Sequence, residues 1–364
     1  MKNWTQKGLG ICSAALMVAA IASVLGRLPV LQAKDAAFAA AGFIMPAGVT
    51  DAMKEDYLEE DEEDNASSDS GQPDMSGADS APVSSQSTGV SSQASSQAAS
   101  GTVSSGPSSP VSLPAGVKEM SIANTGSQYN NIWVKNTNKN HTVDVAAELQ
   151  KQPAVKIVKN STPQVLIYHT HTTEAFLGDT RSQDKSRSVV AVGDQIAAQL
   201  KAAGINVVHD TTLHDYPSYN GSYDRSKVTM QNNLKKYPGI QVTLDIHRDA
   251  MGTSDGTRIK PTATINGRKA AQVMIISGCD DDGTLGFPNW EYNFRLAARL
   301  QKSMADLYPG LARPLNFCAR KYNENLTKGS LLVEFGTEVN TLDEAVYSGE
   351  LFGKALVKVL NGLS

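Results

Sequence analysis

The 364-residue sequence has only three cysteines, too few and too widely separated for a disulfide framework or a cysteine-rich structural zinc site. Cys279 and Cys318 would form a bond only if the fold brought them together. The chain also lacks an excess of positive charge, since residues 81–364 contain 28 Lys or Arg and 24 Asp or Glu. Nucleic-acid-binding proteins normally carry a strongly basic surface, so DNA and RNA are not expected partners.

Long apolar runs are equally scarce, and only one is long enough to cross a membrane. Residues 8–26 form a run of 19 residues without a charged side chain, about the length of a transmembrane helix. Lys2 and Lys7 precede it, so the positive-inside rule predicts a cytoplasmic N-terminus and an extracytoplasmic remainder. A cleaved signal peptide is the alternative, but its apolar core is normally shorter. We therefore expect residues 1–33 to form a cytoplasmic N-terminus and a single membrane anchor.

Residues 34–116 lack the regularly spaced apolar side chains of a folded core. Residues 51–80 contain twelve Asp or Glu and one Lys, which gives this segment a net charge of −11. Serine then accounts for 18 of the 46 residues from Ser67 to Ser112. Segments of this composition bury too little apolar surface to fold. We expect a disordered linker that spans a distance on the order of 50 Å.

From Val117 to Ser364, short apolar runs alternate with segments of helical periodicity. Strands are predicted at residues 165–168, 205–208, 242–246, 273–276 and 331–335, and helices at residues 189–203, 228–237, 290–307 and 342–360. Continuous apolar runs are typical of buried parallel strands, so we predict one α/β domain with a mostly parallel sheet covered by helices. The Asn266-Gly267 pair predicts a type I′ hairpin turn.

Polar side chains follow the carboxyl ends of three predicted strands, which is where open α/β sheets place their sites. These residues are His169, His171 and Glu174 after the first strand, Asp245, His247, Arg248 and Asp249 at the third, and Glu334 at the last. His171, Glu174 and His247 together match the ligand set of a catalytic zinc ion, which takes two imidazoles and a carboxylate and leaves one position for water. The sequence therefore predicts a zinc hydrolase.

Glu334 is the predicted general base, because a carboxylate near the zinc-activated water is needed to relay its proton. A structural salt bridge to Arg or Lys is the alternative role for Glu334, and Asp249 and Glu338 are the next candidates for the base. We expect His169 to be a structural histidine or to orient a ligand, with direct ligation in place of Glu174 as the open alternative. Arg248 and Asp249 are expected to contact substrate or ligands. The other histidines, His141, His209 and His214, are expected to be solvated or in loops.

Four segments resemble the stage II sporulation protein P family, membrane-anchored peptidoglycan hydrolases of endospore-forming bacteria. They are YHTHTTEAF, VVAVGDQIAAQLKAAGI, DIHRDA and LLVEFGTEVNTLDEA. That family looks related to the zinc N-acetylmuramoyl-L-alanine amidases, and the resemblance makes His171 and His247 zinc ligands and Glu334 the catalytic glutamate. The amidases take their ligand Glu from the start of the first helix, where this chain has Ser188-Val189-Val190. Glu174 would have to substitute for it.

The resemblance implies cleavage of the amide bond between N-acetylmuramic acid and the stem peptide, and also of cross-links between stem peptides. It further implies partnership with the sporulation proteins D and M at the septal and engulfing membranes. Two alternatives stay open. A zinc carboxypeptidase would need a cationic pocket, with Arg248 or Arg258 as candidates, and a non-catalytic wall-binding module would not need Glu334.

Overall fold

The apolar runs of the sequence form the central strands of a large sheet in the computed structural model, which describes residues 113–364. The strands are β1 (Val117–Met120), β2 (Ser127–Tyr129), β3 (Ile132–Asn136), β4 (Val165–Tyr168), β5 (Val207–His209), β6 (Val242–Asp249), β7 (Arg258–Ile265), β8 (Arg268–Ala271), β9 (Val273–Gly278), β10 (Leu315–Cys318) and β11 (Ser330–Thr337). The α-helices are α1 (Val145–Gln150), α2 (Val189–Ala202), α3 (Ser222–Lys236), α4 (Trp290–Leu307) and α5 (Leu342–Asn361). Short 3₁₀ turns occupy Lys185–Arg187 and Glu324–Leu326.

Eight strands form one sheet in the order β2-β3-β10-β9-β11-β6-β4-β5, and β1, β7 and β8 form a second sheet of three. The neighbours β11, β6, β4 and β5 are parallel, but β9 runs antiparallel to β11 and β2 antiparallel to β3. The α/β class is confirmed, whereas the prediction of a mostly parallel sheet is corrected, because both sheets are mixed. The large sheet is mixed at β9, which pairs parallel with β10 but antiparallel with β11.

One face of the large sheet carries the main apolar core. Side chains alternate between the two faces along a strand, and Leu244 and Ile246 of β6 lie in this core with Leu331, Val333 and Phe335 of β11. Buried apolar residues of α2, α4 and α5 complete the same core. This packing fixes the backbone of the two strands on which the candidate site stands.

The opposite face of the same strands is polar. Asp245, His247 and Asp249 alternate with the core residues of β6, and Glu334 of β11 is in register with His247. Helix α3 covers this face only near β4, where Met230 packs in a smaller cluster with Leu166 and Tyr168. The helix-covered face thus supports the chain, and the polar face carries the chemistry-bearing residues.

Several predicted elements are confirmed at their bounds. The strand at residues 165–168 and the helix at residues 290–307 begin and end where the sequence predicted. The type I′ turn is also confirmed, since Asn266 and Gly267 both have positive φ angles, 51° and 78°. Helix α3 begins six residues earlier than predicted, at Ser222 after Gly221. Its first turn has few apolar side chains, which hid it from a search for apolar periodicity.

Among residues 113–364, no helix is both long and apolar enough to cross a bilayer. The predicted anchor at residues 8–26 and almost all of the predicted linker lie outside the described residues. The domain boundary near Val117 therefore stays a prediction. Cys279 and Cys318 are both buried and unbonded.

Candidate active site

The turn after β4 brings the predicted ligands His171 and Glu174 to the end of β6. The Oε2 atom of Glu174 lies 3.4 Å from Nδ1 of His247 and accepts a 3.0 Å hydrogen bond from the backbone N–H of Arg248. The rings of His171 and His247 have their centroids 5.2 Å apart and are nearly perpendicular, at 86°. The three predicted ligands are therefore neighbours in space.

Glu174 lies directly beside the start of α2. Ser188 caps α2 and pairs with Ala175 in an isolated β-bridge. The backbone N–H of Val189 donates to the carbonyl oxygen of Glu174 at 2.9 Å. The turn that carries Glu174 is thus tied to the first turn of α2 through the backbone.

His247 is held between two buried carboxylates. Its Nε2 atom lies 2.9 Å from Oδ1 of Asp245, on the side of the ring away from Glu174. Asp245 also accepts hydrogen bonds from the backbone N–H and the hydroxyl of Thr170, at 2.8 and 2.6 Å. Burial opposes the charged imidazole, but Asp245 and Glu174 outweigh it and raise the pKa of His247 well above its ordinary value. Carboxylate support of this kind is typical of metal-binding histidines.

His171 contributes a neutral imidazole. Burial lowers the pKa of His171 to about 3, so the ring carries one proton at neutral pH. Its Nε2 atom lies 3.0 Å from the hydroxyl of Tyr219. Its Nδ1 atom is buried and has no hydrogen-bond partner among residues 113–364. A neutral imidazole with one bare nitrogen is the form that binds a metal ion.

The three residues fit zinc in donor type and in one spacing. Two donors bound at about 2.1 Å to a tetrahedral zinc ion are about 3.4 Å apart, which is the distance between Glu174 and His247. The unpartnered Nδ1 of His171 offers a third donor. As they stand, no three His, Cys, Asp or Glu side chains within residues 113–364 form a group that could hold a metal ion. The three donors are thus of the right kind and close together, but they do not form a complete metal-binding group.

Glu334 projects from β11 beside its register partner His247. Its Oε2 atom is buried and has no hydrogen-bond partner in the described part of the chain. Burial, together with the carboxylate of Asp249, raises the pKa of Glu334 well above its ordinary value. A buried carboxyl group without a partner, next to a candidate metal ligand, is placed to exchange a proton with a group bound in the site.

Arg248 and Asp249 continue β6 beyond His247, and both are engaged by the protein itself. The guanidinium of Arg248 donates to the carbonyl oxygens of Ala175 and Thr180, each at 3.0 Å, and so ties the loop after Glu174 to β6. Asp249 forms a 2.8 Å ion pair with the buried Arg313. Glu334 is therefore better disposed than Asp249 to act as the base.

The three histidines near the start of the site form a buried network. Nδ1 of His169 lies 2.9 Å from the carbonyl oxygen of Ile246, and its Nε2 lies 2.8 Å from Nε2 of His209. The ring of His214 contacts the carbonyl oxygen of His169 and the hydroxyl of Thr229. A structural role for His169 agrees with these contacts. His214 lies in a loop, as expected, but its side chain is buried rather than solvated. His209 is neither solvated nor in a loop, since it ends β5 and its side chain is only 8% exposed.

Two residues of the site, Tyr219 and Arg313, were missed by the sequence reasoning. Arg313 stands in no motif, and only the fold brings it to Asp249. Tyr219 had a weak signal, since residues 216–223 contain three tyrosines. Aromatic residues in a loop are common enough that this clustering did not single it out.

The sequence model of the family described as stage II sporulation protein P (SpoIIP) matches residues 52–357. The chain belongs to this family. Stage II sporulation protein P of Bacillus subtilis (strain 168) is 32% identical over 198 residues, which is 50% of this chain and 47% of that protein. The match thus spans about half the length of the curated relative.

Solved structures of cell-wall amidases are more distant. The N-acetylmuramoyl-L-alanine amidase AmiC2 of Nostoc punctiforme is 13% identical, with 57% of this chain and 97% of that chain covered at a TM-score of 0.34. The CwlD amidase from Clostridioides difficile, in complex with the GerS lipoprotein, is 12% identical, with 55% and 100% covered at a TM-score of 0.34. Similarity at this level is too weak to show a shared fold or activity.

Proposed function

We propose that this protein is a zinc-dependent peptidoglycan hydrolase that cleaves the amide bond between N-acetylmuramic acid and L-alanine during sporulation and engulfment. The observation that carries this proposal is the meeting of His171, Glu174 and His247 beside Glu334 on one face of the sheet. Membership of the sporulation family supports the cell wall as the setting. Cleavage of cross-links between stem peptides is the second expected activity.

His171, Glu174 and His247 would hold the zinc ion. Bound there, zinc would supply a Lewis acid for the scissile carbonyl and would lower the pKa of a water molecule to about 7. The protein's own contribution is to keep these donors in place. Arg248 does this for Glu174 through its backbone N–H, and Asp245 does it for His247 through a carboxylate at 2.9 Å.

Glu334 would move the proton. Its buried Oε2 atom, which lacks a protein partner among the described residues, takes the proton of the attacking water and later returns it to the nitrogen of the departing L-alanine. The raised pKa of Glu334 favours the protonated intermediate form between these two steps. The ion pair of Asp249 and Arg313 lies at the end of the neighbouring strand and keeps Asp249 engaged with a cation.

The two alternatives have less support. A carboxypeptidase needs a cation for the terminal carboxylate, and the guanidinium of Arg248 is already bound to two carbonyl oxygens. Arg258, the other candidate cation for that carboxylate, is exposed at the start of β7. A non-catalytic wall-binding module has no use for Glu334, whose buried unpartnered oxygen costs roughly 1–3 kcal/mol of stability.

The proposed setting follows from the sequence beyond the described residues. An N-in membrane anchor and an extended acidic and serine-rich linker would let an extracytoplasmic hydrolase reach the wall. We propose the sporulation septum and the engulfing membrane as the location, and the sporulation proteins D and M as partners.

Mass spectrometry of the products from purified peptidoglycan, incubated with the full chain, tests the proposal. We expect stem peptides to be released with a free L-alanine amino group, while N-acetylmuramic acid stays intact in the glycan. The Glu334→Gln chain controls for contaminating hydrolases. Loss of only the terminal residue from stem peptides would indicate the carboxypeptidase. Wall binding without any new product would indicate the binding module.

A further inference from the structure

Tyr219 contacts the candidate ligand His171 in two ways. Its hydroxyl lies 3.0 Å from Nε2 of His171. The two rings also stack, with centroids 4.3 Å apart and planes inclined by only 7°. A side chain that both stacks on a ring and contacts one of its nitrogens fixes the position and the rotation of that ring.

Tyr219 is itself held against the turn that carries both ligands. The guanidinium of Arg181 lies 4.2 Å from the centre of the Tyr219 ring and 3.6 Å from the carboxylate of Asp215. Asp215 is buried and accepts hydrogen bonds from the backbone N–H and the hydroxyl of Thr173, between His171 and Glu174 in the chain. The tyrosine therefore keeps a fixed relation to the candidate metal site.

We propose that Tyr219 is a positioning residue for this site, whose hydroxyl accepts the Nε2 proton of His171 and so leaves Nδ1 as the metal-binding atom. This inference rests on the proposed function. The hydrogen bond made by one ring nitrogen decides which nitrogen of a neutral imidazole is bare. At His247 it is likewise Nδ1 that lies near Glu174, while Nε2 lies near Asp245.

The opposite proton arrangement is unfavourable. If the hydroxyl of Tyr219 donated to Nε2, a His171 ring with one proton would carry that proton on Nδ1. That atom is buried without a hydrogen-bond acceptor among residues 113–364. A buried N–H without an acceptor is rare in folded proteins, so the arrangement with a bare Nδ1 is preferred.

Zinc affinity of the full chain in detergent tests the role of the hydroxyl. The Tyr219→Phe variant keeps the ring stack and removes the hydroxyl, and we expect its zinc dissociation constant to rise about 10- to 100-fold in competition with a chromophoric chelator. Tyr223→Phe is the matched control, because the Tyr223 ring also contacts His171, edge-on at 5.6 Å. Its zinc affinity should stay within about twofold of the parent chain.

The outcomes separate this inference from the proposed function. If the parent chain binds zinc and Tyr219→Phe binds it as tightly as Tyr223→Phe, the role of Tyr219 is wrong while the zinc proposal stands. If the parent chain binds no zinc, both are overturned.

A measurement on the parent chain covers the case in which Tyr219→Phe does not fold. Nitrogen-15 labelling of the six histidines reports which ring nitrogen of each carries the proton. The signal of His171 is identified by its loss in His171→Asn. We expect His171 to be protonated at Nε2 before zinc is added, and protonation at Nδ1 would overturn the proposal.

Discussion

The two faces of β6 and β11 carry opposite kinds of side chain within strands of only eight residues each. On one face Ile246 and Phe335 are fully buried in the core formed with the helices. On the other, His247 and Glu334 stand in register and meet the turn after β4. Adjacent residues in one strand therefore serve stability and chemistry separately.

The difference between the two faces shows how the site is built. A functional side chain keeps its geometry when the element that carries it is rigid, and packing on the far face supplies this rigidity. We expect substitutions on the polar face to change metal binding or turnover while the fold persists. Substitutions on the apolar face should change stability first.

The largest effect is expected from His247→Ala on the polar face. It removes one of three predicted zinc ligands, and we expect elemental analysis to find no zinc and product analysis to find no hydrolysis. His141→Ala is a suitable control, because His141 stacks on Trp290 and is not among the predicted ligands. A full equivalent of zinc in His247→Ala would remove this residue from the ligand set.

The next effect is expected from Phe335→Ala, one residue away from Glu334 but on the apolar face. The Phe335 ring packs edge-to-face on Phe352, with centroids 5.3 Å apart. Its loss should lower the free energy of unfolding by about 3–5 kcal/mol, measured by urea denaturation. The variant should still bind zinc where it is folded. Loss of zinc without loss of stability would show that the two faces do not act separately.

A smaller effect, on the pH dependence of stability, is expected from Glu324. Its carboxylate accepts hydrogen bonds from the backbone N–H groups of Gly278 and Leu332. Burial raises the pKa of Glu324 well above its ordinary value. The folded state therefore binds this proton more tightly than the unfolded state. The stabilisation is complete below the unfolded pKa of about 4.5 and is lost as pH rises towards the folded pKa.

The comparison with Glu324→Gln isolates this titration, since Gln does not titrate. Between pH 4 and pH 8, we expect the unfolding free energy of the parent chain to fall relative to that of the variant. The variant also lacks one hydrogen-bond acceptor of Glu324, which changes its unfolding free energy by an amount that does not depend on pH. A difference that stays constant across this range would show that the pKa of Glu324 is not raised.

The sequence predicted the central strands because they are buried on both sides and so read as continuous apolar runs, as at Val165–Tyr168. It also predicted the hairpin turn, since Asn266 and Gly267 are the residues that accept positive φ angles. Strand direction was not predictable in the same way. An apolar run such as that of β9 reads the same in both directions, so it does not show that the strand pairs parallel with β10 and antiparallel with β11.

In the site, too, residues marked by their local sequence were predictable and residues brought in by the fold were not. His171, Glu174, His247 and Glu334 could be chosen because each follows or ends an apolar strand. Tyr219 and Arg313 could not, since both reach the site from loops whose path depends on the whole fold. The buried position of His214 and the half-buried position of His209 were missed for the same reason.

The most direct test of the central claim is to measure zinc content and hydrolysis together in Glu334→Gln. This substitution keeps the size of the side chain and removes the proposed base next to His247. The account predicts about one zinc per chain in both proteins and a turnover at least roughly a hundredfold lower in the variant. Near-parental hydrolysis of peptidoglycan by Glu334→Gln with its zinc retained would contradict the claim that Glu334 moves the proton.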